Sequence, residues 1–315
     1  LMSQGAPSFD IKMQALVQGA GFGYGRDYQQ YFLGDTKFGA TPESLGIPKW
    51  SGSPEESDRI IKAAFKFFGA AKIAFTKIYD ASCKNWFWDR GREYDGAINP
   101  NSGSVANGFR YVRFEDVDEP YITAEKKVIP NSFKDVIVFE VPQSDKLTRN
   151  GPASQLEQGR NQAATTIAYA NLQLVERRMQ RFMRCLGYYG LSGGTGSIAP
   201  VTPWAIASGL GEMSRMNPLI TPEWGTMIRS TVILVTDLPV APSKPIDAGM
   251  WKFCHVCGLC AKACPYGSLS FENEPSWEPA GIWNAGGKKV FYIKYQNCYK
   301  HRISAGGCDN CMYSC

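Results

Sequence analysis

The sequence predicts a mixed α+β chain, in which a large helix-and-strand region is followed by a small cysteine-dense one. Three observations predict this. The 315 residues are enough for two or three domains with a sizeable core. Helical and strand patterns are interspersed over roughly the first 245 residues. Eight of the ten cysteines fall between Cys254 and Cys315.

The elements follow in order. Ser53-Pro54-Glu55-Glu56 is a capping box with Pro at the first helical position. The helix it opens is expected to bury Ile60, Ile61, Ala64, Phe65 and Phe68, and Gly69 suits its C-terminal turn. Residues 71–79 and 135–141 (DVIVFEV) read as strands. A long helix is expected over residues 154–186, with Ala164, Ile167, Ala168, Val175, Met179, Phe182 and Leu186 on its apolar side. Residues 230–236 (STVILVT) read as a buried strand closed by Asp237-Leu238-Pro239. Three prolines in 239–246 mark a linker. The divisions expected are therefore an N-terminal segment (1–52), a central domain (53–245) and a C-terminal domain (246–315). Residue patterns leave α+β and α/β both open for the central domain, because strand order is not readable from them.

The last region carries the strongest signal. Cys254, Cys257, Cys260 and Cys264-Pro265 form C-x2-C-x2-C-x3-C-P, the bacterial ferredoxin run for [4Fe–4S] clusters. Cys298, Cys308, Cys311 and Cys315 repeat it with a longer first gap. Short gaps wrap three thiolates around one cluster, and the fourth cysteine of each run serves the other cluster. One cluster is thus assigned to Cys254, Cys257, Cys260 and Cys315, and the second to Cys264, Cys298, Cys308 and Cys311. Disulfides suit such a run poorly in a chain this long, and a zinc ribbon has no use for its third cysteine. Cys83 and Cys185 stand apart and read as small buried residues.

Other chemistries are excluded by what is missing. A net charge of +5 with no basic stripe argues against a nucleic-acid partner. Two histidines are too few for most His-rich zinc, copper or non-haem iron sites. Gly19-Ala-Gly21-Phe-Gly23 never completes G-x-G-x-x-G. Gly194-Thr-Gly196-Ser-Ile-Ala199 fits the looser form, but Pro200 and Pro203 stand where a phosphate-binding helix would begin. Gly193, Gly194 and Gly196 remain a place where backbone can approach a bulky cofactor. No apolar run reaches the roughly 18 residues of a membrane span, and no basic-then-apolar export signal opens the chain. Both ends are expected to have been trimmed.

These features together resemble the corrinoid-dependent reductive dehalogenases. The resemblance rests on Phe67-Phe68-Gly69-Ala70, on Gly209-Leu-Gly211-Glu212-x2-Arg215 and on Leu219-Ile-Thr221-Pro222-Glu223-x-Gly225-x3-Arg229. It rests further on Thr236-Asp237-Leu238-Pro239, the doubled cysteine run and Glu274-Pro275-Ser276-Trp277. It implies a nitroreductase-like corrinoid-binding domain followed by a ferredoxin-like domain with two [4Fe–4S] clusters. The implied reaction is removal of halide from a small organohalide by two electrons and one proton, at a cobalamin-type corrinoid held base-off. In agreement, neither His255 nor His301 lies in the D-x-H-x2-G loop that a protein-ligated corrinoid requires.

By the same resemblance Tyr169 is the proton donor and Arg229 the cation that stabilises its phenolate. Thr165, one helical turn before Tyr169, shares its face. Gly193, Gly194, Thr195 and Gly196 form the cofactor-side loop, where family members often carry Asn and this chain does not. Trp50, Trp86, Trp88 and Trp204 are candidate pocket walls or ordinary core. The family further implies anaerobic organohalide respiration, a low-potential electron donor and twin-arginine export to the outer face of the cytoplasmic membrane. A small membrane anchor protein and a homodimer are implied as well. Members of the family usually carry a twin-arginine signal, a proline after the last cysteine and a C-terminal extension, and trimming at both ends is expected to account for their not being seen between Leu1 and Cys315. Two rival readings are an epoxyqueuosine reductase-like enzyme and a non-corrinoid two-cluster electron carrier. Cobalt content and the substrate reduced separate the three.

Overall fold

In this computed structural model, the described residues are 32–34, 41–88, 90–92, 109–149, 159–195, 197–284, 286–304 and 308–315. The glycine-rich stretch at 19–25, residues 154–158 of the expected long helix, and Gly196 lie outside them. Helix α1 (Pro42–Leu45) precedes α2 (Pro54–Phe68), whose capping box forms as the sequence requires. The Glu56 amide donates to Ser53 Oγ (3.2 Å) and the Ser53 amide to Glu56 Oε2 (2.8 Å). Gly69 closes the helix in the left-handed region. Only Ile61 and Phe65 of its apolar face are fully buried; Ile60, Ala64 and Phe68 are half-buried at the rim.

The chain continues through β1 (Lys72–Lys77), α3 (Ala81–Lys84), β2 (Arg90–Arg92), β3 (Phe109–Glu115), β4 (Tyr121–Ile122), β5 (Lys126–Pro130) and β6 (Asp135–Pro142). Then come α4 (Asp145–Arg149), α5 (Gly159–Leu186), α6 (Val201–Ala207), β7 (Glu212–Met213), β8 (Leu219–Ile220), β9 (Ile228–Arg229) and β10 (Ile233–Thr236). The cysteine region holds α7 (Met250–Cys257), α8 (Leu259–Ala263), α9 (Tyr295–Ser304) and α10 (Asn310–Tyr313).

Strand β6 is central. It pairs antiparallel with β1, β10 and β9, so the main sheet is of α+β rather than α/β type. Both of its faces are buried, which is why DVIVFEV reads as a continuous apolar run. Val136 and Val138 pack toward Trp204, and Ile137, Phe139 and Val141 pack toward Leu172, Val175 and Met179 of α5. Phe65 lies against Phe139 at 4.8 Å between ring centroids. Each such fully buried side chain contributes about 1.5–3 kcal/mol. A second sheet, ordered β2-β3-β5-β4 with β3 and β5 parallel, was not expected from the residue pattern.

Some expectations need correction. Ile167 points away from the sheet and is 37% exposed, because the buried stripe of α5 runs through Ala164, Ala168, Leu172, Val175 and Met179. Cys83 is buried as expected, but Cys185 is exposed at the end of α5. Of the strand expected over 230–236 only residues 233–236 form one, β10; β9 ends just before the span, and Ser230, between the two, bonds its hydroxyl to the Phe139 carbonyl (2.9 Å). Residues 239–246 have no regular structure, yet Ser243 brackets Phe75 with two hydrogen bonds and lies along β1.

Glu140, inside β6, is buried, and among the described residues neither carboxylate oxygen has a hydrogen-bond partner. Burial pushes its pKa from 4.5 up to about 8, only partly opposed by Lys72. At pH below 4.5 the carboxyl is neutral in both folded and unfolded chains, so it carries no penalty. Between 4.5 and about 8 the unfolded chain loses the proton that the folded one keeps, and stability falls as pH rises. Glu140→Gln is therefore expected to stabilise the protein, by little at pH 5 and by roughly 3–5 kcal/mol at pH 9. Denaturant unfolding at the two pH values checks this, and a gain independent of pH would refute it.

Candidate active site and cysteine-lined cavities

Thr165 and Tyr169 stand one turn apart on α5, and β9 brings Arg229 against both. Arg229 is buried, with its guanidinium carbon 5.2 Å from the centroid of the Tyr169 ring. Its Nη2 donates to Thr165 Oγ1 (3.2 Å) and its Nη1 to the Ile228 carbonyl (2.9 Å). The Thr165 hydroxyl in turn donates to Asp309 Oδ2 (2.8 Å). Gln143, just past the end of β6, borders the same group, with Oε1 3.3 Å from the Thr165 hydroxyl and Nε2 2.7 Å from Thr148 Oγ1. A charged guanidinium and a buried carboxylate are thus joined through one hydroxyl, an arrangement that holds all three in place.

Asp309 lies between Cys308 and Cys311, so this chain of bonds ties α5 to the second cysteine run. Between them is a cleft of about 1440 Å³, part of it open to solvent. Thr165, Tyr169 and Arg229 line it together with Cys264, Cys298, Cys308 and Cys311. Leu219, Ile228, Ile293 and Met312 supply much of its apolar wall. Among the described residues, buried polar atoms along it, Arg229 Nε, Ser268 Oγ and Asn310 Oδ1 among them, have no hydrogen-bond partner. Orphaned polar atoms gathered in one apolar cleft are what a bound polar-edged group would satisfy.

A second cavity, of about 730 Å³, is lined by Cys254, Cys257, Cys260 and Cys315. The two cavities therefore divide the eight cysteines into the two sets expected from their spacing. Burial pushes up the thiols of Cys254, Cys298, Cys308 and Cys311, and that of Cys260 to about 11. Thiolates form in such places only beside positive charge. Among the described residues no three His, Cys, Asp or Glu side chains gather tightly enough for a single metal ion. Each set of four thiols instead lines a wider cavity.

The motif Gly209-Leu-Gly211-Glu212-x2-Arg215 fixes this cavity to the central domain. A Cβ on Gly209 would lie 2.1 Å from the Lys244 carbonyl oxygen, and one on Gly211 would lie 2.2 Å from that of Ile220. Both glycines let backbone pass backbone at the base of the β7–β8 hairpin. Glu212 accepts the amides of Ala248 and Trp251 at the start of α7, where the cap residue Gly249 has no side chain to offer. Arg215 bonds the carbonyls of Cys254 and His255 in the last turn of the same helix. An acid at the positive end and a base at the negative end complement the helix dipole. The helix that carries Cys254 and Cys257 is held at both ends.

The glycine loop sits elsewhere. Gly193 and Gly194 are buried, and their amides donate to Glu176 Oε1 of α5 (3.2 and 2.8 Å). Burial raises the pKa of Glu176 against the pull of these bonds. Neither glycine lines the cleft; Thr195 approaches it through Thr231, at 3.4 Å between hydroxyl oxygens. None of the four candidate tryptophans lines it either, and Trp204 is core, packed edge-on to Trp86 and tilted against Phe87. Asp309 and Gln143 carried no expectation. The one available signal was an acidic residue inside a cysteine run.

The comparisons with known proteins agree with this architecture. A family model described as reductive dehalogenase subunit matches residues 18–240. The chain is 27% identical over 307 residues to a chloroethene reductive dehalogenase of Dehalococcoides mccartyi (strain VS), covering 92% of this chain and 56% of that protein. It is 30% identical over 281 residues to a tetrachloroethene reductive dehalogenase of Desulfitobacterium hafniense, covering 84% of this chain and 48% of that one. The chain thus spans about half the length of the curated relatives it matches. Its fold is similar to a solved reductive dehalogenase described as suggesting a mechanism for B12-dependent dehalogenation. That similarity has a TM-score of 0.61 at 21% identity, covering 96% of this chain and 36% of the other. The matched span runs through α2, α5 and β6 to β10, the elements that frame Tyr169 and Arg229, and this chain belongs to the reductive dehalogenase family.

Proposed function

We propose that this chain is the catalytic part of a reductive dehalogenase acting on a small organohalide, with a base-off cobalt corrinoid and two [4Fe–4S] clusters. The observation that carries this reading is the cleft that sets Tyr169 and Arg229 opposite Cys264, Cys298, Cys308 and Cys311. The named substrates of the relatives, chloroethene and tetrachloroethene, support small chlorinated carbon compounds as the class. When bound, the corrinoid supplies the reduced cobalt for carbon–halogen cleavage and the clusters supply its electrons one at a time.

The chain's own residues have distinct tasks. Cys254, Cys257, Cys260 and Cys315 would hold the first cluster, and Cys264, Cys298, Cys308 and Cys311 the second, next to the cleft. Replacing halide by hydrogen needs one proton, and the Tyr169 hydroxyl is placed to give it. Arg229 beside the ring stabilises the phenolate left behind. Thr165 and Asp309 keep Arg229 from swinging into the cleft. His301 also lines the cleft, with its ring packed on Tyr266 at 4.3 Å. The same reading includes a low-potential electron donor and a small anchor protein at the outer face of the cytoplasmic membrane. No helix among the described residues is long and apolar enough to cross a membrane itself.

Three outcomes are expected. Protein purified without oxygen and supplied with corrinoid contains about eight iron and one cobalt per chain; full iron without cobalt would favour an electron carrier instead. Tyr169→Phe keeps both metals and lowers halide release by about 10²–10⁴-fold, and near-normal turnover would remove Tyr169 as the donor. Cys264→Ala loses the EPR signal of one cluster and about four iron. The surviving signal matches that of a Cys298→Ala variant and differs from that of Cys257→Ala. The reverse pattern would overturn the division of the cysteines.

A further inference from the structure

Arg215 is buried, at 2% exposure, and its hydrogen-bond partners among the described residues are neutral backbone carbonyls. Its Nε and Nη2 bond the Cys254 carbonyl (3.0 and 2.6 Å), Nη2 also reaches that of His255 (3.2 Å), and Nη1 bonds those of Ser270 and Glu272 (both 2.7 Å). The Phe291 ring lies 4.0 Å from its guanidinium carbon. Among the described residues no carboxylate lies within ion-pair distance. A cation buried this deeply normally has a counter-charge, because desolvation is not offset by carbonyls alone. Arg215 lines the cavity of Cys254, Cys257, Cys260 and Cys315, whose ligating form would be four thiolates.

We infer that Arg215 is the counter-charge of the cluster held by these four cysteines and sets that cluster's reduction potential. The inference rests on the proposed function. One electron from a low-potential one-electron reductant adds a negative charge to a cluster its thiolates already make anionic. A fixed cation beside it in a poorly polarisable setting stabilises the reduced form and raises the potential. No bond is made or broken in this step, and no proton need move. The second cluster's cavity does not include Arg215, so its potential should be independent of this residue.

The test is an EPR-monitored redox titration of the corrinoid-loaded protein and its Arg215→Gln and Arg215→Lys variants, with iron analysis of each. Arg215→Gln is expected to shift the first cluster to lower potential, leave the second unmoved and keep about eight iron. Arg215→Lys, which keeps the charge but not the fork of bonds, should stay near the wild type. Loss of about four iron in Arg215→Gln, with Arg215→Lys intact, would likewise support a requirement for charge. Equal shifts or losses in both variants, or no change in either, would overturn the inference. Wild-type protein without two cluster signals would overturn the functional reading beneath it instead.

Discussion

The site depends on a hydrogen-bonded line from Arg229 through Thr165 to Asp309. Each member comes from a different part of the chain: a two-residue strand, the long helix, and the turn between two cysteines. Hydrogen bonds to charged groups contribute about 1.5–3 kcal/mol each, and removing one partner leaves a buried charge that costs more. The line is set by the central sheet. Val141 pairs with Arg229 across β6 and β9, and Gln143 follows two residues later beside Thr165. A slip of one residue would turn Arg229 to the opposite face of the sheet, away from Tyr169. Sheet register, side-chain network and cysteine placement are therefore one constraint.

Much of this was readable from the residues, for local reasons. The capping box at Ser53, the apolar run of β6 and the cysteine spacing all encode structure within a few neighbouring positions. The cysteine spacing also anticipates which four cysteines line each cavity. What was not readable depends on residues far apart. The parallel pairing of β3 with β5 joins strands such as Tyr111–Lys126 whose mixed polarity carries no clean period. Ile167 looked buried by composition, but the helix presents a narrower stripe to the sheet. Glu212 and Arg215 were recognisable as a motif only by resemblance. Their task, gripping both ends of α7, becomes visible when the β7–β8 hairpin and the cysteine region meet.

The wall between the two cavities has its own physical meaning. Met216, Ala261, Leu269 and Ile293 form a small apolar core against which Cys260, Cys264 and Cys311 pack. Met216 lines both cavities. An apolar layer thus lies where the two sets of thiols approach each other. The apolar wall also strengthens every electrostatic interaction on either side of it.

That consequence bears unequally on the two buried arginines. Arg215 has all three of its nitrogens committed to backbone carbonyls of the cysteine region, which leaves it immobile and able to act only through its charge. Arg229 keeps Nε unbonded in the cleft while its other two nitrogens are held. An unsatisfied buried donor costs about 1–3 kcal/mol unless something in the cleft accepts from it. The fold accepts this cost beside Tyr169 and avoids it at the first cavity. One guanidinium is committed to backbone carbonyls beside the first cavity; the other retains a donor along the cleft.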